Sequence, residues 1–263
     1  MADTYESKPG LDKPLEQVQQ RVAAETAPRP ARRYRAYIFQ GYVILAVIVF
    51  GVLAFLARTV AYFSFDVVIT HELQAYRAAW FDSLMRGVSW IGFGPQVVEV
   101  AAIFVLLLAA IGLRWEALVA LLSGAASETA NFVAKLVVHR PRPTADLVHV
   151  LQEVKGYSFP SGHVMFYTAF FGFLWFLTYS LLKHSWRRSV LLFLFISLVV
   201  LVGPSRIYEG EHWASDVFGA YLLGSLTLLA AIAFYRWGKS RFFVRQPVAP
   251  DQGVEKKTVQ EHS

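Results

Sequence analysis

The sequence predicts an all-α, polytopic membrane protein: a six-transmembrane-helix bundle with its active site at the extracytoplasmic face. Three observations carry that expectation. Of 263 residues, 56% are hydrophobic and 17% charged, too little charge to coat a soluble domain of this size. Apolar runs of about 20 residues recur, the length that crosses a ~30 Å hydrocarbon core at ~1.5 Å per residue. The stretches that gather histidines, arginines and carboxylates sit at the ends of those runs.

Taken in order, residues 1–36 are polar and are expected to form a disordered cytoplasmic tail, with PRPARRYR directly before the first apolar run. No cleavable leader is legible there, and the pattern is that of a retained signal anchor. A membrane domain is expected over 37–240, with spans at 37–62, 92–113, 115–138, 163–182, 190–207 and 212–237. Between the first two spans, Leu73, Tyr76, Trp80 and Leu84 recur at helical spacing. That pattern suits either an amphipathic helix at headgroup depth or a connecting helix packed on the bundle. Gly203-Pro204 should break or kink the fifth span near its outer end. Residues 241–263 are expected to be a second disordered cytoplasmic tail.

The net charge is +6, but the lysines and arginines lie beside apolar runs, where they set orientation, so no nucleic-acid partner is expected. With the N-terminus inside, 17 of the 25 Lys and Arg residues are cytoplasmic and eight fall on the other side. Three of those eight, Lys135, Arg142 and Arg206, belong to the stretches that carry chemistry. Both termini are therefore expected in the cytoplasm, with the site periplasmic or extracellular if this is a bacterial inner (plasma) membrane protein and lumenal or extracellular in a eukaryote. The absence of cysteine excludes disulfides and thiolate metal sites and leaves the compartment open.

Three stretches read together as a phosphate-handling site: KLVVHRPRP (135–143), PSGH (160–163) and SRIYEGEHWASD (205–216). His212 and Asp216, four apart, read as one helical face; the carboxylate would hold one ring nitrogen and leave the other as a nucleophile. Alone, the pair also reads as a histidine at a helix start with an Asp cap. Pro160 suits a first helical position, and Ser161 and Gly162 would offer backbone N–H groups to phosphate oxygens. His163 would then protonate a leaving oxygen. Alone, PSGH is an ordinary loop-to-helix turn.

Lys135 alone would snorkel to the headgroups. Ser127, Glu128, Asn131 and Lys135 nevertheless mark one polar face inside an apolar span, which should turn into the bundle, with Glu128 as a buried structural acid. Arg206 and one of the Pro-flanked arginines, Arg140 or Arg142, suit bidentate phosphate contact. Spacing alone leaves that choice open.

Together the stretches resemble the signature of the type-2 phosphatidic acid phosphatase superfamily, which also includes the vanadium haloperoxidases. The family pattern is Lys, six residues, Arg-Pro; then Pro-Ser-Gly-His; then Ser-Arg, five residues, His, three residues, Asp. Lys135 with Arg142-Pro143, Pro160 to His163, and Ser205-Arg206 with His212 and Asp216 match it throughout, which selects Arg142 over Arg140. The resemblance runs through residues 113–237 by motifs and spans, and covers neither tail.

It implies His212 as the nucleophile of a phosphohistidine intermediate, Asp216 orienting it, and His163 as proton donor. Lys135, Arg142, Ser161, the Gly162 amide and Arg206 would hold the phosphoryl oxygens, with no metal and no cofactor. Short loops and six spans look most like bacterial integral-membrane lipid phosphatases, so the implied partner is a lipid phosphate or diphosphate in the bilayer. Phosphatidic acid, phosphatidylglycerol phosphate and undecaprenyl diphosphate are the implied substrate classes. Phosphoryl transfer to an acceptor alcohol shares the first half-reaction and is the alternative. A non-catalytic lipid-binding protein is a third reading, which the intact His212, Asp216 and His163 oppose. Glu153, Glu209 and Glu211 near the mouth are expected to repel highly anionic headgroups. The oligomeric state is not legible.

Overall fold

A computed structural model describes residues 30–243. Most of the two expected tails, 1–36 and 241–263, therefore lies outside the described residues. Eight helices occur among them: α1 Pro30–Thr59, α2 Ser64–Ala75, α3 Ala79–Trp90, α4 Gly94–Ala110, α5 Arg114–Val138, α6 Gly162–Leu181, α7 Trp186–Tyr208 and α8 Ala214–Gly238. No strand occurs among the described residues, in keeping with the expected all-α class.

Five of these helices (α1 and α5 to α8) are each long and apolar enough to cross a membrane. The sixth crossing differs from the expected straight span at 92–113. Helix α4 has only 17 residues, ~25 Å at ~1.5 Å per residue, and completes a span only together with α3, to which it is bent by 71°. The expected helix over 70–86 is likewise two pieces. α2 ends at Ala75 and α3 starts at Ala79, so Leu73 and Trp80 belong to different helices.

The described chain falls into two units, residues up to Val49 and from Phe50 onward. In the first, α1 exposes apolar side chains such as Ile38, Ile44 and Val47, as a lipid-facing helix does. In the second, the core is built around α6, whose Val164, Met165, Tyr167, Phe170, Phe171 and Phe173 are buried among α5, α7 and α8. A π-helical turn at Tyr167–Phe171 interrupts α6. Such a turn holds an extra residue and re-aims the side chains after it. Here the Tyr167 hydroxyl donates to the Val88 carbonyl on α3 at 2.6 Å, tying the central helix to the one that flanks the site.

Of the break or kink expected at Gly203-Pro204, the break does not occur: helix α7 runs on through Pro204 to Tyr208, close to the expected end of the span at 207. A proline removes the helical N–H that would reach the carbonyl four residues back, here Val200. The Tyr221 hydroxyl of α8 supplies the missing donor, lying 2.8 Å from the Val199 carbonyl and 3.1 Å from that of Val200, and it accepts the Gly203 N–H at 3.2 Å. Gly203 permits that approach: a Cβ there would stand 2.6 Å from the Tyr221 oxygen. Arg206 is thereby carried to the site on continuous helix.

Candidate active site

The chain turns into the first motif at His139, whose left-handed backbone (φ 55°) ends α5 just after Lys135. In the RPRP run that follows, each arginine precedes a proline, which bars helical backbone at both and keeps the segment extended. Both guanidinium groups then reach the His212–Asp216 pair, on different members. Arg142 Nη1 lies 3.2 Å from His212 Nε2 and donates to the Glu211 carbonyl at 2.8 Å. Arg140 is fully buried and its Nη1 donates to Asp216 Oδ1 at 2.5 Å.

The resemblance selected Arg142 for phosphate, and the geometry gives Arg140 another task. Its Nη2 meets Asp66 Oδ2 at 2.9 Å, its Nη1 also reaches Ser215 Oγ at 2.7 Å, and its Nε donates to the Ala61 carbonyl at 3.1 Å. Asp66 and Asp216 occupy the same position, third residue of their helices, where a carboxylate faces the positive end of the helix dipole. Asp66 accepts the Phe63 N–H at 3.1 Å and the Ser215 N–H at 2.8 Å. Asp216 accepts the Trp213 N–H at 2.9 Å. One buried cation thus joins the starts of α2 and α8. Asp66 was not singled out in the sequence, where it is one acid in an apolar stretch.

His212 does not share a helix with Asp216, as the spacing suggested; α8 begins two residues after it. Its Nδ1 lies 3.7 Å from Asp216 Oδ2, too far for a direct bond, and the Ser158 hydroxyl joins them. Ser158 Oγ is 3.4 Å from His212 Nδ1 and donates to Asp216 Oδ2 at 2.5 Å. The tautomer follows. Arginine only donates, so Nε2 beside Arg142 carries the lone pair and Nδ1 carries the proton, aimed at Ser158. Burial first, and then Arg142, Lys135 and Arg206, hold the His212 pKa well below the ordinary imidazole value, so the ring is neutral at pH 7. Ser158, two residues before PSGH, is a functional residue the motif reading missed.

At the second motif, α6 starts at Gly162 with Ser161 as N-cap, so Pro160 lies just outside the helix instead of at its first position. Asn131 of α5 fixes this corner by donating to the Pro160 carbonyl at 2.9 Å. Ser161 Oγ and His163 Nε2 are buried without a hydrogen-bond partner among the described residues. The His163 ring fits into the corner between α3 and α4: a Cβ on Gly92 would fall 2.1 Å from it, and Phe93 meets it edge-on at 5.0 Å. The absence of a side chain at Gly92, in the break between those helices, leaves room for the imidazole.

Phe93 also lies under the Arg206 guanidinium, at 5.1 Å. Arg206 is buried, pairs with Glu209 at 2.9 Å, and contacts Glu211 and Ser89 as well, while its Nε has no partner. Glu209 and Glu211 are therefore committed to an internal cation. The expectation that they repel anionic headgroups from the mouth fails for that reason, and Glu153 alone remains exposed. On α5, Ser127 and Asn131 are buried and Lys135 half-buried as expected, but Glu128 is exposed and has no hydrogen bond or ion pair among the described residues. It lies ~100° around the helix from Ser127, off the buried face.

The fold thus gathers all eight sequence-selected residues, Lys135, Arg142, Ser161, Gly162, His163, Arg206, His212 and Asp216, around the starts of α6 and α8. An electron-pair donor, a second imidazole, three cations and a helix N-terminus suit nucleophilic displacement at phosphorus.

The model of the PAP2 superfamily matches residues 115–240. The chain is 30% identical over 190 residues to phosphatidylglycerophosphatase B of Bacillus subtilis (strain 168), a stretch covering 70% of this chain and 90% of that protein. Its fold matches the crystal structure of a transmembrane PAP2-type phosphatidylglycerolphosphate phosphatase from Bacillus subtilis with a TM-score of 0.66 at 27% identity, over 76% of this chain and 98% of that one. Since the likeness spans nearly the whole of a bacterial relative as well as the family's own region, the chain belongs to the PAP2 superfamily.

Proposed function

We propose that this membrane PAP2 lipid phosphatase works through a phosphohistidine on His212 Nε2 and removes the terminal phosphate of a phospholipid or lipid diphosphate. The observation that carries the reading is the His212 ring, held at Nδ1 through Ser158 and presenting Nε2, the nitrogen with the lone pair, 3.2 Å from Arg142. Nε2 attacks phosphorus, the N–P bond forms as the bond to the lipid oxygen breaks, and His163 gives that oxygen its proton. Water then attacks the phosphohistidine, returns a proton to His163, and releases phosphate. Lys135, Arg142, Arg206 and the N–H groups at Ser161 and Gly162 offset the charge on the phosphoryl oxygens in both steps. Asp216, held by Arg140, balances the charge that the imidazole gains.

Phosphatidylglycerol phosphate is the leading substrate, because both compared bacterial proteins are named for it; phosphatidic acid and undecaprenyl diphosphate are the next two. The excess of Lys and Arg on the side of the termini, opposite the site, supports cytoplasmic termini and a site on the periplasmic or extracellular face. The test is phosphate release by detergent-purified protein, in EDTA, from the three lipids side by side. His212→Ala should lower kcat at least ~10³-fold, and wild type should trap an acid-labile phosphoryl group that the variant does not. No release from any of the three by folded wild type would sink the reading.

A further inference from the structure

Two cavities lie back to back beside the site. The smaller, about 300 Å³, is lined by Arg142, Glu211, Val150 and Gln152. The larger, about 560 Å³ and within the usual range for ligand pockets, is lined by His71, Arg77, Asp82, Arg86, His149 and Tyr208. Residues 149–154 form the shared wall: His149 and Leu151 face the larger cavity, Val150 and Gln152 the smaller.

The larger cavity is braced. Gln74 donates to the His149 carbonyl at 2.6 Å and the Tyr208 carbonyl at 2.9 Å, and accepts the His149 N–H at 3.1 Å, which ties wall, α2 and the end of α7 together. It is also joined to the phosphate site. Ser89, one turn beyond Arg86 on α3, contacts Arg206 and Glu209, and Glu209 directly follows Tyr208. Exposed Tyr76 and Trp80 stack edge-on with Phe81, which meets Tyr208 likewise, at one rim. Such aromatics sit at headgroup depth.

Its charge is cationic. Asp82 is the one carboxylate in the lining, and Arg86 already takes it at 2.9 Å. Arg77 makes no hydrogen bond or ion pair among the described residues, and its guanidinium suits two phosphate oxygens at once. The two phosphorus atoms of a diphosphate share one bridging oxygen and would both stay close to His212. A phosphodiester set apart from the terminal phosphate by a polyol spacer would reach the second.

We propose that the Arg77–Arg86 cavity binds a second phosphate group, the phosphodiester of the lipid whose terminal phosphate lies at His212, and so selects headgroups that carry both. The proposal rests on the phosphatase reading for its substrate, and its test has one arm that does not need turnover. In zwitterionic micelles, Arg77→Gln with Arg86→Gln should raise KM for phosphatidylglycerol phosphate about tenfold with kcat nearly unchanged, and leave phosphatidic acid kinetics as they were. Asp82→Asn, which frees Arg86, should move the same KM down.

The second arm measures equilibrium binding of phosphatidylglycerol phosphate to His212→Ala protein with and without the two arginine changes, where about the same tenfold loss is expected. That loss in the absence of any turnover by wild type would keep the cavity and discard the phosphatase. Equal effects on both lipids, or none on either, would overturn the cavity's role. So would an arginine dependence that appears for both substrates only when anionic phospholipid is added, since the cavity would then serve a neighbouring lipid's phosphate.

Discussion

At the start of α8 the Asp216 carboxylate accepts from Arg140, Ser158 and the Trp213 amide, and Arg140 in turn spends its remaining donors on Asp66, Ser215 and Ala61. At the start of α6, a few residues of the same motif set, Ser161 Oγ and His163 Nε2 have no hydrogen-bond partner among the described residues. Both regions are buried and polar. Buried polar groups are costly unless paired, so the first region is a finished scaffold and the second keeps its capacity for a phosphoryl group. Stability and catalysis should therefore respond in opposite proportion in the two places.

The largest effect is expected from Arg140→Met. It leaves Asp66 and Asp216 buried without their cation, which typically costs about 3–5 kcal/mol, and it frees the group that orients His212. Thermal unfolding in detergent should fall together with activity; a stable, active variant would show that the two carboxylates need no shared cation.

Ser161→Ala should invert that pattern. Its hydroxyl bonds nothing among the described residues, so melting should not move, whereas kcat/KM should drop about 10- to 100-fold for a lost hydrogen bond to a charged group. A loss of stability instead would place Ser161 in the scaffold.

Smaller, and specific to the buried imidazole of His212, is the pH response. The folded pKa of His212 lies well below the ordinary ~6.5, so the unfolded chain binds that proton first as pH falls. The His212 contribution to stability is whole above about 6.5 and is lost progressively as pH drops toward the folded pKa. Activity should show no acid limb near 6.5 from this group, and a profile of kcat/KM between about pH 5 and 8 would reveal one if the ring titrated normally. The smallest effect belongs to Glu128→Gln, on the exposed side of α5, where both melting (within about 0.5 kcal/mol) and kcat should stay put.

Much of this was legible in one dimension. Apolar runs long enough to cross a bilayer gave the five long helices, and the motif spacings gave the eight residues that meet around the starts of α6 and α8. Where the reading failed, a partner distant in sequence had intervened. Pro204 did not end α7 because Tyr221, on another helix, replaces the hydrogen bond it removes. The straight span expected at 92–113 is instead the shorter α4, bent by 71° from α3 at a break where Gly92 packs against the His163 ring. Glu209 and Glu211 were misread as a repulsive rim because Arg206 claims them from inside.

The sequence by itself determined the membrane class, the helical architecture and the chemical inventory of the site, since hydrophobic length and residue type are local properties. Only the tertiary structure decided how near-identical groups divide their labour. It made Arg140 a scaffold cation next to the Arg142 that the motif spacing had already selected, brought Asp66 to Ser215 across 149 residues, and placed Ser158 between His212 and Asp216, the latter 58 residues away. Those roles rest on which dipoles and charges meet in a dry interior, and a pairing energy of that kind exists only once the chain has brought the partners together.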